Sequence, residues 1–345
     1  MSPSSHPVRR LLTGAVVVGA AAGAVAVGRS IARQRPAMAA VAPELRHPGL
    51  FLPVDLDARL LVVARALARR ASLPAAPGVE VVERTVPGAD GAPGPAVVVY
   101  QRPDRAPASG ALVWMHGGGM VLGTPAQDQP WCSAMADELG ILVVSVDYRL
   151  APEHPFPAAL DDCMAALAWV HDAADELGVD RDRIAVGGGS AGGGLAAAVC
   201  QRARDEGGPP VCFQLLNYPM LDDRTVLVDD HGGRGAFVWT PASNRFGWTA
   251  YLGGPPRLDG APTHAAPART TDLAGLPPAW IGVGELDLFH DEDVDYARRL
   301  EAAGVACELR EVPGMYHGAD LLVARDPAMQ AYRSAMVQAL RRAVG

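Results

Sequence analysis

The chain has 345 residues, of which 49% are hydrophobic and 20% charged, a composition typical of a folded globular protein and not of a disordered one. Its net charge of −8 argues against nucleic-acid binding, which usually requires a basic surface. All basic side chains are arginine, which excludes chemistry that needs a lysine, such as Schiff-base formation or phosphate binding by a P-loop.

The first 35 residues contain a charge-free segment, residues 11–28, which follows Arg9 and Arg10 and precedes further arginines. As a helix this segment spans roughly 27 Å, close to the hydrocarbon thickness of a bilayer. A signal peptide cleaved near residues 24–26 is one alternative, although the arginines beyond that point argue against it; a non-inserting tail is another. We expect residues 1–35 to be a membrane anchor or a signal-like segment, and favour an anchored or exported protein over a cytoplasmic one.

After this segment, hydrophobic spacing predicts an amphipathic helix over 55–70, followed by alternating strands and helices. Strands are predicted at 79–86, 96–102, 111–116, 141–149, 183–188, 211–218, 279–285 and 307–312. Further helices are predicted at 158–177, 191–204, 292–303 and 327–343. Near-continuous apolar strands that alternate with helices indicate an α/β fold with a mostly parallel central sheet covered on both faces.

One region, residues 221–257, interrupts this alternation with aromatic residues and no clear strand. An insertion that follows a strand end lies beyond the edge of the sheet, where a lid over a ligand site is expected. The five cysteines are scattered and include no C-x-x-C pair, so buried thiols are expected in place of a disulfide framework or a zinc site.

The stretch "RIAVGGGSAGGGLAAAV" (183–199) fits two motifs. Gly187, Gly189 and Gly192 match G-x-G-x-x-G, but the next strand ends "LLNYP" without the acidic residue that a dinucleotide fold places there. Gly188, Ser190 and Gly192 match G-x-S-x-G, a tight strand-to-helix turn that exposes the serine as a nucleophile. The second reading is favoured, and it requires a base, an acid and an oxyanion site elsewhere in the chain.

All three are present. "WMHGGGMVLG" (114–123) follows a predicted strand, and with the amide of Ala191 such a loop makes an oxyanion hole. His317 follows the strand that ends near residue 312 and is the candidate base. Asp287 follows the preceding strand, at the sheet edge where catalytic groups gather, and is preferred as the acid over nearby carboxylates that begin the next helix.

Five motifs in order resemble the hormone-sensitive-lipase-like esterases and lipases of the α/β-hydrolase fold, over roughly residues 45–345. They are "HGGG" (116–119), "DYRLAPEHPFPAAL" (147–160), "GGSAGG" (188–193), "GELDLFHDE" (284–292) and "YHG" (316–318). The resemblance implies one α/β-hydrolase domain over 36–345, with a helical cap from about 45–75 and 225–257.

The resemblance also implies a serine carboxylesterase acting on small-molecule esters, with Ser190 as nucleophile, His317 as base and Asp287 as its orienting acid, and with no cofactor or metal. The implied oxyanion donors are Gly118, Gly119 and Ala191, with Gly117 shaping the turn. Side chains near this loop and in the cap are expected to line a pocket for short- to medium-chain acyl groups; they are Met120, Leu122, Trp239 and Trp248.

Other functions stay open at this point. Amidase and lactonase activities use the same triad, and a non-catalytic small-molecule receptor can share the fold. The sequence does not identify the oligomeric state.

Overall fold

The computed structural model describes residues 34–52, 55–70, 73–88 and 93–345. The charge-free segment 11–28 lies outside these ranges, so its predicted anchor or signal role stays a prediction. Among the helices within the described ranges, none is both long and apolar enough to cross a bilayer.

The described residues form an eight-stranded sheet with the order β1-β2-β4-β3-β5-β6-β7-β8. Its strands are β1 (Glu80–Pro87), β2 (Pro93–Gln101), β3 (Ser109–Met115), β4 (Leu142–Asp147), β5 (Val179–Gly189), β6 (Phe213–Asn217), β7 (Ala279–Gly284) and β8 (Cys307–Val312). β2 pairs antiparallel with β1 and with β4, and the pairs from β4 to β8 are parallel. The predicted mostly parallel sheet is confirmed.

Helices cover both faces of this sheet, and residues 34–40 are also helical. The helices are α1 (Ala58–Ala68), α2 (Gln129–Leu139), α3 (Ala158–Asp172), α4 (Ala174–Leu177), α5 (Ala191–Glu206), α6 (Pro241–Leu252), α7 (His290–Ala302), α8 (Ala319–Leu322) and α9 (Pro327–Val344). The helix predicted over 158–177 is broken at Ala173 into α3 and α4.

Three of these helices, the short α8 and the longer α2 and α6, are not among the helices that the sequence predicts. Both longer helices carry ordinary end signals: a proline in the first turn and a left-handed glycine, Gly140 or Gly253, directly after the last residue. In α6 the side chain of Thr240 also accepts a hydrogen bond from the backbone N–H of Ser243. The apolar residues of α6 show only weak helical periodicity, whereas the proline and the glycine at its two ends are signals that the sequence contains.

The hydrophobic core lies in two layers, one on each face of the sheet, because side chains alternate along a strand. In β3, Val113 packs with α3 and α5 on one face, while its neighbours Leu112 and Trp114 pack with α2 and α9 on the other. Both faces are buried, which explains why the central strands are apolar throughout.

This topology places the candidate catalytic residues at one edge of the sheet. β3, β5, β7 and β8 run parallel, so their carboxyl ends lie at the same edge of the sheet. The loop after β3 contains 116–119, Ser190 follows β5, Asp287 follows β7 and His317 follows β8.

Candidate active site

Ser190 lies in a strained turn between β5 and α5. Its backbone has φ +57° and ψ −120°, outside the regions that most residues adopt. A Cβ on Gly192 would lie 2.0 Å from the carbonyl oxygen of Met115, and one on Gly188 would lie 2.3 Å from the carbonyl carbon of Gly192. The turn therefore closes only with glycine at both positions, which is the physical content of the G-x-S-x-G motif.

Backbone hydrogen bonds hold this turn against the sheet. The N–H of Ser190 donates to the carbonyl of Asn217 at 2.9 Å, and its own carbonyl accepts from Gly194 and Met220, both at 3.0 Å. α5 begins at Ala191, directly after the serine, so the positive end of its dipole lies beside the Ser190 hydroxyl.

The three side chains predicted to act together form one chain of hydrogen bonds. His317 Nε2 lies 3.0 Å from Ser190 Oγ, and His317 Nδ1 lies 2.8 Å from Asp287 Oδ2. The other carboxylate oxygen of Asp287 accepts the backbone N–H of Phe289 at 3.0 Å. All three side chains are buried, with Asp287 fully so.

Aromatic rings fix the orientation of His317. The ring of Tyr218 approaches it edge-on at 4.7 Å between centroids, and the ring of Phe289 does so at 5.3 Å. With Asp287 accepting at Nδ1, the proton of the neutral imidazole lies on Nδ1, and Nε2 is the free acceptor that faces Ser190.

The glycine loop after β3 adopts a shape that side chains would obstruct. Gly118 has φ +125° and Gly119 has φ +62°. A Cβ on Gly118 would lie 2.0 Å from the carbonyl oxygen of Leu122, and one on Gly119 would lie 2.2 Å from the ring of Trp239. In the described part of the chain, the backbone N–H groups of these two glycines donate to no backbone carbonyl. They are therefore available to a ligand beside Ser190.

His116 supports this loop from inside the protein. Its ring stacks on Tyr148 at 4.2 Å, and the Tyr148 hydroxyl donates to the His116 carbonyl at 2.7 Å. Burial lowers the pKa of His116 to about 4, so the ring is neutral at pH 7. His116 Nδ1 lies 2.9 Å from the carbonyl of Gly117, which ties the ring to the turn.

A cavity of about 420 Å³ opens above Ser190 and has two chemically different sides. The apolar wall is formed by Leu56, Leu60, Val63, Ala64, Leu67, Leu122, Val238 and Trp239. The polar wall is formed by Trp114, Gln127, Asp128, Trp131, Asn217, Tyr218, Asp320 and Arg333. The same cavity is also lined by Ser190, His317 and the glycine loop.

Two of the four predicted pocket residues line this cavity and two do not. Leu122 and Trp239 belong to the apolar wall. Met120 is buried in the core with its methyl group directed toward Gly194 of α5, because the backbone after the glycine loop turns its side chain inward. Trp248 lies on the buried face of α6 and packs against Tyr251. The prediction that Met120 and Trp248 line the pocket is wrong.

Sequence reasoning missed the charged groups of the polar wall, Asp128, Asp320 and Arg333. Asp320 carried a signal, since it follows the "YHG" motif by only two residues. Asp128 and Arg333 carried none, because they come from the start of α2 and the middle of α9, far apart in the chain.

Within the described residues, no group of three or more His, Cys, Asp or Glu side chains is placed to hold a metal ion. The five cysteines are free thiols; three are buried, and the other two, Cys212 and Cys307, are partly buried.

A family model described as alpha/beta hydrolase fold matches residues 112–321. The chain belongs to the hormone-sensitive-lipase-like branch of the α/β-hydrolase fold, as the resemblance of its motifs indicated.

Relatives with curated names are similar over most of their length. Carboxylesterase NlhH of Mycobacterium tuberculosis is 44% identical over 262 residues, which cover 74% of this chain and 81% of that protein. Esterase LipI of the same organism is 38% identical over 267 residues, covering 77% and 82%. Among solved structures, a bacterial heroin esterase superposes with a TM-score of 0.81 at 40% identity, covering 89% of this chain and 99% of that one.

Proposed function

We propose that the protein is a serine carboxylesterase that hydrolyses esters with short- to medium-chain acyl groups. The observation that carries the proposal is the continuous hydrogen-bond chain from Ser190 through His317 to Asp287, beside a loop in which Gly118 and Gly119 donate to no backbone carbonyl of the described residues. The carboxylesterase relatives support the same reaction class.

In the first half of the reaction, His317 Nε2 takes the proton from Ser190 Oγ as the oxygen attacks the ester carbonyl. A tetrahedral intermediate forms, the bond to the leaving oxygen breaks, and the alcohol departs with the proton from Nε2. Asp287 keeps the imidazole in the correct tautomer and stabilises the imidazolium.

In the second half, His317 takes a proton from water, and the resulting hydroxide equivalent attacks the acyl-enzyme carbonyl. The acid leaves as the proton returns to Ser190 Oγ. In both halves the amides of Gly118, Gly119 and Ala191 stabilise the negative charge on the carbonyl oxygen, with Gly117 shaping the turn. Losing one such donor typically costs on the order of 10²–10³ in rate.

We assign the acyl group to the apolar wall, and α1 and α6 to a cap over the site. The backbone N–H of Leu56 donates to Ser243 Oγ at 2.9 Å, and Thr240 Oγ1 donates to Asp55 at 2.7 Å, so the two segments support each other. Leu60, Val63 and Leu67 then offer an apolar surface along an acyl chain.

The test is a panel of p-nitrophenyl esters of increasing chain length, with an aryl amide and a lactone included. The wild-type protein is expected to hydrolyse the esters, with the highest kcat/KM between acetate and octanoate, and to label with a fluorophosphonate. Ser190→Ala is expected to lose both activities. Hydrolysis by Ser190→Ala at the wild-type rate would refute the proposal. A higher activity on the amide or the lactone than on the esters would show that the protein is an amidase or a lactonase instead.

We propose further that residues 11–28 attach the protein to a membrane or direct its export. The support is the uncharged stretch between arginines. Fractionation of cells that express the full chain, compared with cells that express residues 34–345, tests this. An equal distribution of the two forms would refute it.

A further inference from the structure

The polar wall contains more charge than the proposed ester hydrolysis needs. Asp128, Asp320 and Arg333 lie together on one side of the cavity, and none of them belongs to the hydrogen-bond chain of Ser190, His317 and Asp287. Charges inside a protein are costly unless they are paired. The pairing of each one therefore indicates what the wall is built to bind.

Asp320 and Arg333 compensate each other. Asp320 accepts a hydrogen bond from the hydroxyl of Tyr218 at 2.8 Å and lies 3.6 Å from Arg333 Nε. The guanidinium of Arg333 also stacks over Trp131, 5.5 Å from the ring centre. This cation is held by its neighbours, and the pair contributes no net charge.

In the part of the chain that the structure describes, Asp128 forms no direct ion pair, although the Arg333 guanidinium is near enough to act on its carboxylate. It is only 7% exposed, and its Oδ2 accepts the indole N–H of Trp114 at 2.8 Å. None of the ion pairs within the described residues includes Asp128, although the carboxylate borders the cavity. Two carboxylates against one guanidinium leave this wall with a net negative charge.

Burial raises the pKa of Asp128 to about 6, and the nearby Asp320 carboxylate contributes in the same direction, while the hydrogen bond from Trp114 and the Arg333 guanidinium act against the rise. At pH 7 the group is mainly ionised, and it shares the Arg333 guanidinium with Asp320. A positively charged ligand group entering the cavity balances the remaining negative charge of this wall.

The surroundings of Asp128 suit an organic cation better than a hydrated metal ion. The rings of Trp114 and Tyr218 line the same wall, and aromatic faces attract alkylammonium groups through their quadrupole. With the acyl chain on the apolar wall, the other side of an ester bound at Ser190 faces the polar wall.

Resting on the proposed esterase function, we propose that the polar wall is a subsite for a cationic group, and that the preferred substrates are esters whose alcohol part carries a protonated amine or quaternary ammonium. Asp128 is the specificity-determining residue.

The experiment compares two substrates that differ by one atom: butyrylthiocholine, with a quaternary nitrogen, and 3,3-dimethylbutyl thiobutyrate, with a carbon in its place. Released thiol is measured for both. The wild-type kcat/KM is expected to be about tenfold higher for the cationic ester. Asp128→Asn, which still accepts from Trp114, is expected to remove most of this preference, so that the ratio of kcat/KM for the cationic ester to that for the neutral ester falls close to one.

Asp172→Asn is the matched control, because it removes the same charge from an exposed carboxylate of α3 outside the site cavity. It is expected to keep the full preference. Equal kcat/KM for the two esters in the wild type, or a preference that survives in Asp128→Asn, would overturn the proposal.

A binding measurement separates this proposal from the esterase function. The Ser190→Ala protein is titrated calorimetrically with each ester, and tighter binding of the cationic one is expected, with the difference lost in the Ser190→Ala, Asp128→Asn double variant. If the wild type hydrolyses neither these thioesters nor the p-nitrophenyl esters, the esterase proposal fails while this titration still decides on the subsite. Equal affinities would overturn the subsite whatever the activity.

Discussion

The sheet edge that carries Ser190, Asp287 and His317 and the helix α1 that closes the cavity are built in opposite ways. At the sheet edge every functional side chain is buried and held by hydrogen bonds at 2.8 to 3.0 Å. On α1, Val62, Val63 and Leu67 are 69%, 53% and 64% exposed and have no comparable anchoring. The difference separates the reaction, which needs fixed geometry, from substrate contact, which only needs apolar surface.

The largest effect is expected from a substitution at the sheet edge, where the side chains are held in place. Asp287→Asn should lower kcat for p-nitrophenyl butyrate by about 10⁴-fold, because the amide no longer holds the tautomer of His317 that accepts the proton of Ser190. Steady-state kinetics with burst-phase measurement checks this.

Asp291→Asn is the control for charge and position. Asp291 lies four residues further along the chain, and its side chain is largely exposed at the start of α7. Its loss is expected to change kcat by less than about threefold, as for an exposed ion pair. If kcat falls as far in Asp291→Asn as in Asp287→Asn, the assignment of Asp287 as the acid is wrong.

The next effect probes the glycine loop. Gly119→Ala should lower kcat by about 10²-fold, because its Cβ would lie 2.2 Å from the Trp239 ring and must displace either the ring or an oxyanion donor. Gly140→Ala is matched to it: its φ is +63° against +62°, and nothing lies within 4 Å of the added Cβ.

Gly140→Ala is expected to cost about 1 kcal/mol of unfolding free energy, the usual penalty for alanine in the left-handed region, and Gly119→Ala is expected to cost more, because its Cβ also meets the Trp239 ring. Only Gly119→Ala is expected to lose activity. Denaturant unfolding and kinetics on both variants check this, and equal activities would show that the loop tolerates the contact.

The difference between buried, fixed residues and exposed contact residues also explains which parts of the site could be predicted from the sequence. The turn at Ser190 and the loop at 116–119 were predictable, because sharp backbone geometry admits only glycine there and so leaves a motif in the sequence. Asp287 and His317 were predictable because parallel strands deliver their carboxyl ends to one edge.

The cavity walls were harder to predict. Met120 was assigned to the pocket from its closeness in sequence to the glycine loop, but a single backbone turn decides on which side its side chain lies. The polar wall combines residues from α2 and α9 whose approach depends on how the helices pack, and no local pattern records that.

A smaller effect tests the exposed side. Leu67→Ala should raise KM for p-nitrophenyl octanoate about fivefold, through loss of roughly 1 kcal/mol of apolar contact, and leave hydrolysis of the acetate unchanged. Val62→Ala is the control on the same helix, since Val62 is equally exposed but borders a neighbouring groove instead of the site cavity. Equal effects of the two variants on the octanoate would remove α1 from the acyl site.

The smallest effect concerns the polar wall and its dependence on pH. The carboxyl of Asp128, with its pKa raised to about 6, is ionised above that pH and neutral below it, so attraction for a cationic alcohol group is present at pH 8 and lost as the pH falls through 6. Asp320, Arg333 and Tyr218 face the same part of the cavity, and burial raises the pKa of Tyr218 well above 10, which keeps it neutral throughout.

The ratio of kcat/KM for butyrylthiocholine to that for its neutral isostere isolates this titration, because protonation of the triad affects both esters alike and cancels. The ratio is expected to fall several-fold between pH 8 and pH 5 in the wild type and to stay flat in Asp128→Asn. A wild-type ratio that is high but independent of pH would mean that the cation is bound by aromatic rings alone. The polar wall would then bind substrate as α1 does, through the contact of its side chains and without a defined charge.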